Sequence, residues 1–284
     1  MTDLFAAEPA TDPDAVFRNF MRHNLQHAAA HFGLTVIERP AFGWRLRSIS
    51  TTATGHGGKR WLRVVSQEPQ WAQGESWTGT FDANAITGIA KPRVLDIYEW
   101  SEQNWRNQRA EVMTLIPGNV CSATDLLRTP VDFLPDQWWA DLHHYLAVLA
   151  DVDTRRTYAD QDKISDRIHQ RFGNDVDTAV HEWETVHGDL HWNNLHCPDF
   201  ALVDWESWGR GPAGLDAATL LCFSLCTPEV ARRVRSAFAA KLDSSTGRVA
   251  QLYVVARLFR RIDGGDFRDL KEPLEDHVRR HLLP

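Results

Sequence analysis

The sequence lacks the features of disulfide-stabilised and membrane-spanning proteins. It contains only four scattered cysteines among 284 residues, too few for a disulfide framework. No apolar run approaches the length needed to cross a bilayer, and residues 1–13 lack the basic and apolar regions of a signal peptide. These absences predict a cytoplasmic protein without a membrane segment.

Basic residues are also fewer than acidic ones. Lys and Arg total 31 against 38 for Asp and Glu, so the formal net charge is −7. A general binder of nucleic acid or of membrane surfaces would expose a basic field, and we therefore expect neither partner. Apolar residues, in contrast, make up 43% of the chain, enough to bury the cores of two lobes. The twelve tryptophans are expected mainly in such packing.

The N-terminal part of the sequence predicts one helix followed by strands. Asp12 and Pro13 are typical of an N-cap and a first helical position, and a helical apolar period then runs to Gly33. Five extended runs follow, at residues 34–41, 45–54, 60–66, 92–100 and 108–116. Glycine turns join the first three runs, which predicts an antiparallel meander.

Helical periodicity dominates the rest of the chain. The run Asp136–Ala150 carries an apolar stripe, and shorter helices are predicted at 162–172 and 177–183. The last predicted helices span 228–242, 248–262 and 269–283. The pattern therefore indicates a strand-rich first part and a helical second part.

Two short motifs place polar side chains directly after apolar residues. Asp189 follows Val186-His187-Gly188, Asn194 stands five positions later, and Asp204 stands ten positions beyond that. Phosphoryl transfer needs such a set. One carboxylate orients an attacking hydroxyl and accepts its proton, while an amide oxygen and a second carboxylate hold Mg²⁺. We therefore predict Asp189 as the catalytic acid–base group, and Asn194 and Asp204 as the metal ligands.

The same segment permits a second interpretation. His187, Asp189, His191 and His196 form a cluster that a zinc-dependent hydrolase could use. That hypothesis assigns no role to Asn194 or to Asp204. A chance cluster of buried polar residues is a third interpretation, which the cooperation of two motifs disfavours.

The pattern His-Gly-Asp-x-x-x-x-Asn followed by Val203-Asp204-Trp205-Glu206 resembles the aminoglycoside phosphotransferase and choline kinase superfamily. The resemblance covers about residues 34–284 and implies an α+β, two-lobe, protein-kinase-like fold. Residues 1–116 would form an N-lobe with a small antiparallel sheet, and residues 117–284 a mostly helical C-lobe with the catalytic and metal-binding loops. The resemblance also implies ATP and Mg²⁺ as cofactors. Asp216 would brace the catalytic loop structurally.

The main departure from that superfamily lies in the third strand. Its members carry a lysine there that binds the α- and β-phosphates, whereas Trp61-Leu62-Arg63-Val64 offers an arginine. Arginine keeps the charge and can bind phosphate oxygens in a bidentate manner, so Arg63 is the predicted substitute, with Lys59 as the alternative. The acid that orients Arg63 is predicted to be Glu75, with Glu68 as the alternative.

Two further elements of a nucleotide site follow from the resemblance. Gly43 lies in the first turn, where the superfamily covers the phosphates, although a plain β-turn explains it equally well. Met113, Thr114 and Leu115 precede Pro117-Gly118, which is similar to a hinge, and would line the base pocket. A simple strand-to-loop turn is the alternative.

The resulting expectation is an ATP-dependent kinase that phosphorylates a hydroxyl of a small molecule, aminoglycoside-like or an amino alcohol. It would act as a monomer or weak homodimer. A kinase-like protein that binds a nucleotide or metabolite without turnover is the alternative, because the usual lysine is missing and the first turn has a single glycine. The acids of residues 263–276 alternate with arginines and lysine, which indicates a salt-bridged surface more than a site for cationic antibiotics.

Overall fold

The structure, a computed structural model, describes residues 4–5, 8–9, 12–102, 104–131 and 133–283. The chain divides into two compact units. The first comprises Met1–Asn84 and Pro92–Ile116, and the second comprises Ala85–Lys91 and Pro117–Pro284. No helix in the described ranges is both long enough and apolar enough to span a membrane.

The first unit opens with helix α1 (Pro13–His31), which begins as predicted. The Asp12 carboxylate accepts a hydrogen bond from the N–H of Ala15 at 2.7 Å, so it satisfies one of the donors that a helix start leaves unpaired. Met21 and Leu25 on one face of α1 are fully buried against the sheet of this unit.

Six strands form an antiparallel sheet in the first unit, in the order β1-β3-β4-β6-β5 with β2 also paired to β3. They are β1 (Thr35–Val36), β2 (Ala41–Phe42), β3 (Ser48–Gly55), β4 (Gly58–Gln67), β5 (Val94–Glu102) and β6 (Arg106–Thr114). Helix α2 (Glu75–Asp82) lies between β4 and β5 in the sequence. The predicted antiparallel meander is confirmed.

The first two predicted strands were too long. Residues 34–41 form only β1 and the start of β2, because Pro40 has no N–H to donate to a ladder. The second run begins at Ser48 instead of Arg45, since Arg45 and Leu46 adopt positive φ angles of 50° and 60° in a short 3-10 turn.

The second unit is mostly helical. Its helices are α3 (Asp136–Ala150), α4 (Gln161–Phe172), α5 (Leu215–Ser224), α6 (Pro228–Ala237), α7 (Ala239–Leu242), α8 (Ser245–Asp263) and α9 (Lys271–His277). Two small antiparallel sheets accompany them. One joins β7 (Asn119–Val120), β9 (Leu195–Cys197) and β10 (Ala201–Leu202), and the other joins β8 (Trp183–Val186) and β11 (Gly209–Pro212).

Tryptophans form much of the core near β9, as the sequence predicts. Trp138 stacks on Trp192 with ring centroids 6.1 Å apart, and Trp139 meets Trp192 edge to face. The indole N–H of Trp138 donates to the backbone carbonyl of His196 at 2.8 Å. Helix α3 is thereby fixed to the strand that follows Asn194.

The helix predicted at 177–183 was wrong. These residues are irregular until the last of them starts β8. Side chains from other helices satisfy the backbone here: Gln161 Oε1 accepts the N–H of Val180 at 2.9 Å, and Thr246 Oγ1 accepts that of His181 at 3.1 Å. Tertiary hydrogen bonds therefore replace the local helical ones.

Gly118 and Gly173 generate a prediction about stability, because both have positive φ angles, of 83° and 92°. A Cβ on Gly118 would lie 2.2 Å from the carbonyl oxygen of Cys197, whereas one on Gly173 would meet no atom within 4 Å. We expect Gly118→Ala to lower the free energy of unfolding by about 2–4 kcal/mol, and Gly173→Ala by about 1 kcal/mol. Urea denaturation measures both, and equal losses would mean that the close approach at Gly118 relaxes freely.

Candidate active site

Asp189 lies in a loop that a buried carboxylate holds in place. Strand β8 ends at the fully buried Val186, and the next two N–H groups, of His187 and Gly188, donate to the carboxylate of Asp216 at 2.7 and 2.9 Å. Burial raises the pKa of Asp216 to about 7, although the two N–H groups lower it. The predicted structural role of Asp216 is confirmed.

Gly188 lets the loop pass close to an aromatic ring. Its φ is +83°, and a Cβ there would lie 2.5 Å from Cδ2 of Tyr158. Only glycine combines this backbone conformation with such an approach. The Tyr158 ring therefore packs directly beside the residue that precedes Asp189.

The Asp189 carboxylate faces His191. Its side chain is 38% exposed, and Oδ2 lies 3.4 Å from His191 Nε2. The same nitrogen lies 3.7 Å from Oδ1 of Asp125. Burial raises the pKa of Asp189, but the charge and hydrogen bond of His191, with the charge of Arg257, hold it below its ordinary value. Asp189 is therefore ionised at neutral pH and accessible to a hydroxyl group.

Asn194 is buried, and its amide nitrogen is held within the loop. Its Nδ2 donates to the backbone carbonyl of Asp189 at 2.9 Å and lies 3.3 Å from His191 Nε2. No residue in the described part of the chain donates a hydrogen bond to its Oδ1. The amide nitrogen is thus occupied, while the oxygen is available as a ligand.

The β9–β10 hairpin brings Asp204 to Asn194. Leu202 pairs with Leu195, and the N–H of Val203 donates to the carbonyl of Asn194 at 3.0 Å. Asp204 is the next residue, is exposed, and has a φ of +64°, which is uncommon for a residue other than glycine. The structure therefore brings the three motif residues Asp189, Asn194 and Asp204 together within the second unit.

These oxygen donors fit Mg²⁺ better than zinc. Magnesium prefers carboxylate and other oxygen ligands, keeps several waters and takes few ligands from the protein, which suits Asn194 Oδ1 with the Asp204 carboxylate. Among the residues that the structure describes, no three His, Cys, Asp or Glu side chains are arranged to hold a metal ion. The zinc-hydrolase interpretation therefore has no support in the described geometry.

Arg156, which the sequence analysis missed, fixes the segment after Asp204. Its Nε donates to the carbonyl of Trp208 at 3.0 Å and its Nη2 to that of Glu206 at 3.2 Å. Trp205 is buried and donates its indole N–H to the carbonyl of Leu202 at 2.8 Å. Sequence alone offers no signal for Arg156, because it lies about fifty residues away.

In the first unit, Arg63 on β4 has an acidic cross-strand neighbour that the sequence analysis did not name. Glu111 of β6 is its direct register partner, and Arg63 Nη1 lies 3.8 Å from Glu111 Oε2. The other oxygen of Glu111 accepts a hydrogen bond from Arg109 Nε at 2.9 Å. Glu75 is exposed as the first residue of α2. Its predicted role beside Arg63 stays a prediction.

The remaining predicted nucleotide residues also lie in the first unit. Gly43 precedes the short 3-10 turn, and its N–H donates to the carbonyl of Ser48 at 2.9 Å. Met113, which is buried, and Thr114 end β6, and Leu115 follows. Their roles in binding a nucleotide stay predictions.

Comparisons with known proteins bear on the fold. No family model and no curated protein matches the sequence. The chain is similar to a solved amicoumacin kinase in complex with AMP-PNP, Ca²⁺ and Ami, with a TM-score of 0.56, 14% identity and coverage of 90% of this chain and 93% of that one. It is also similar to an ethanolamine kinase of Plasmodium vivax, with a TM-score of 0.54, 11% identity and coverage of 98% and 91%. A third similar structure is LicA in complex with AMP, with a TM-score of 0.51, 12% identity and coverage of 91% and 99%.

At these identities the likeness establishes the fold. The protein has the protein-kinase-like fold of small-molecule phosphotransferases, with an antiparallel sheet in its N-terminal region and a mostly helical C-terminal region. The predicted α+β class and the predicted resemblance are confirmed at this level.

His187 generates a prediction about pH and stability. It is fully buried, its Nε2 lies 3.1 Å from the carbonyl of Val203, and burial lowers its pKa to about 4. The unfolded chain binds this proton near pH 6.5 and the folded chain does not, so stability should fall as the pH drops from about 6.5 to about 4, by about 3 kcal/mol. Urea denaturation of the wild type and of His187→Gln across this range tests it. The prediction fails if both proteins lose stability equally.

Proposed function

We propose that this protein is an ATP-dependent phosphotransferase that moves the γ-phosphate to a hydroxyl of a small molecule with the help of Mg²⁺. The observation that carries the proposal is the convergence of Asp189, Asn194 and Asp204 in the second unit, each with the donor atoms its role requires. The fold supports the same class of reaction, because small-molecule kinases share it.

Asp189 would orient the acceptor. It is an ionised, partly exposed carboxylate, so it can accept a hydrogen bond from a hydroxyl and fix the direction of its oxygen. Phosphoryl transfer proceeds through a loose transition state, in which the proton leaves late and positioning contributes most of the rate. A carboxylate with a low pKa suits this role, since it takes the proton only when the new P–O bond has formed.

Asn194 and Asp204 would hold the metal ion. Bound Mg²⁺ neutralises charge on the phosphates. Asn194 contributes its amide oxygen because its amide nitrogen is held by the carbonyl of Asp189. Asp204 would contribute its negatively charged carboxylate. Its positive φ costs conformational energy, and such local strain is often found at functional sites.

Arg63 would bind phosphate oxygens in place of the usual lysine. The Glu111 carboxylate across the strand pair supports this role, because an acid 3.8 Å from the guanidinium can orient it. Gly43, Glu75, Met113, Thr114 and Leu115 keep their proposed roles around the nucleotide.

The acceptor is proposed to be a compact hydroxyl compound. The compounds in the names of the similar structures, amicoumacin and ethanolamine, suggest amine-bearing acceptors such as aminoglycosides or amino alcohols. The net charge of −7 supports the absence of nucleic acid as a partner. A monomer or weak homodimer is the proposed state. Binding without turnover is the second candidate, which the arginine at position 63 motivates.

The central test compares Asp189→Asn with Asp204→Gly. We expect Asp189→Asn to lower kcat by about 10²- to 10⁴-fold with little change in nucleotide affinity, because this carboxylate acts on the hydroxyl. Asp204→Gly should abolish the Mg²⁺ dependence of nucleotide binding. It should leave the free energy of unfolding unchanged or higher, because glycine adopts a positive φ without strain.

Acceptors are first found by incubating amino alcohols, sugars and aminoglycosides with ATP and Mg²⁺ and detecting a phosphoryl mass increase. Titration calorimetry with and without Mg²⁺ then measures nucleotide binding. Asp243→Asn, an exposed residue paired with Arg235, serves as the surface control. Near-normal turnover of Asp189→Asn would refute the assignment, and ATP binding without any turnover would favour the second candidate.

Arg63 gives a separate prediction. Arg63→Ala should raise the nucleotide KM and lower kcat, since contacts to phosphate in both the ground state and the transition state are lost. Arg63→Lys should restore only part of the activity, because a shorter point charge replaces a bidentate group. Steady-state kinetics distinguish these results, and Lys59→Ala is the matched control. A crippled Lys59→Ala beside a normal Arg63→Ala would assign the phosphate contact to Lys59.

A further inference from the structure

A half-buried arginine lies near Asp189. Arg257 lies on α8, and its Nη1 donates to the hydroxyl of Tyr158. Its guanidinium lies 5.5 Å from the Tyr158 ring centroid and 5.9 Å from that of Tyr253. Within the described residues, no carboxylate lies at ion-pair distance from this guanidinium. Arg261, one turn further along the same helix, differs because it forms ion pairs with Asp125 and Asp266.

Two contacts place this positive charge beside the catalytic loop. The ring of Tyr158 packs on Gly188, the residue before Asp189, and the hydroxyl of the same ring binds Arg257. Burial lowers the pKa of Arg257, but Tyr158, Tyr253 and Asp189 together raise it, so the guanidinium is charged. Arg257 and Asp189 therefore flank one tyrosine.

A second cation lies at the same tyrosine. Lys163 Nζ donates to the backbone carbonyl of Tyr158 at 2.8 Å and lies 5.5 Å from its ring centroid. Burial and the charge of Arg257 lower the pKa of Lys163, while Asp160 raises it. The Asp160 carboxylate caps α4 by accepting the Lys163 N–H at 2.8 Å. In the ranges that the structure describes, Lys163 also has no carboxylate at ion-pair distance.

Arg257 is half-buried whereas Lys163 is exposed, so Arg257 is the more costly of the two charges. A half-buried charge without a carboxylate at ion-pair distance is costly, and a bound anion offsets that cost. We propose that Arg257, assisted by Lys163, binds a carboxylate on the acceptor whose hydroxyl Asp189 orients. The inference rests on the proposed phosphotransferase function and narrows its substrate class to compact hydroxy acids. Arginine suits this role because its planar group can bind a carboxylate through two parallel hydrogen bonds.

The same charges disfavour acceptors that are only cationic. A polyamine antibiotic would place ammonium groups near Arg257 and Lys163, and like charges repel at such distances. Asp125, an acid that shares His191 with Asp189, is already engaged by His191 and Arg261. An amino alcohol would fit if it also carried a carboxylate, as a hydroxy amino acid does.

The test compares matched acceptors with ATP and Mg²⁺. The pairs are glycerate with glycerol, glucuronate with glucose, and serine with ethanolamine; glycerol 3-phosphate distinguishes a phosphate from a carboxylate. We expect at least one carboxylate compound to be phosphorylated and its counterpart without the carboxylate to be used much less efficiently. Arg257→Met should raise the KM for that acid on the order of 100-fold, with kcat and the ATP KM changed little. Arg260→Met, an exposed arginine on the same helix, is the control and should behave as wild type.

Several outcomes would overturn the inference while leaving the proposed function intact. One is Asp189-dependent phosphorylation of only neutral or cationic acceptors. A second is an Arg257→Met variant that loses kcat equally with every acceptor, which would assign Arg257 to the transferring phosphate. A third is a preference for glycerol 3-phosphate over all the carboxylic acids, which would mean that the site binds a phosphate. If instead the protein neither binds ATP nor phosphorylates any compound, the proposed function itself is wrong. Circular dichroism and the melting temperature of Arg257→Met verify that the variant is folded.

Discussion

The candidate site depends above all on one buried carboxylate. Asp216 accepts the N–H groups of His187 and Gly188, so it fixes the loop between β8 and Asp189 to the first turn of α5. A loop without this acceptor would leave two buried donors unpaired, at a cost of about 1–3 kcal/mol each. Because Asp216 is also inside the helix, the orientation of Asp189 is coupled to the packing of α5. The packing of α5 therefore determines where the Asp189 carboxylate points.

The second constraint is the hairpin that follows. Backbone bonds between β9 and β10 continue through Val203 to Asn194, so two residues ten positions apart occupy adjacent places. The loop then turns at Asp204 with a left-handed backbone. Arg156 donates to the carbonyls of Glu206 and Trp208 after the turn, and the Trp205 indole donates to the carbonyl of Leu202 before it. The positive φ of Asp204 costs conformational energy, and the surrounding hydrogen bonds offset that cost.

The charged residues near Asp189 form two groups. In one, Asp125 lies at ion-pair distance from both His191 and Arg261. In the other, Arg257 and Lys163 both contact Tyr158 and have no acid at ion-pair distance in the described residues. In the proposed reaction, an acceptor would experience a positive field next to Asp189, and discrimination among acceptors would depend on their anionic groups as well as on their shape.

The local sequence determined much of the architecture. The N-cap of α1, the bounds of α3 and the antiparallel meander follow from short-range patterns, and they formed as expected. The motif spacing also identified Asp189, Asn194 and Asp204 as a group. Each of these inferences uses residues within a few turns or strands of one another, where periodicity and capping act.

Only the tertiary structure decided the partners of these residues. The helix expected at 177–183 was lost to side chains of Gln161 and Thr246, which lie far away in the sequence. Glu111 faces Arg63 because strand register pairs them across the sheet. Arg257, about seventy residues after Asp189 in the sequence, contacts the Asp189 loop through Tyr158. Hydrogen bonds and ion pairs between distant segments depend on how the helices and strands pack. That packing cannot be predicted from local periodicity.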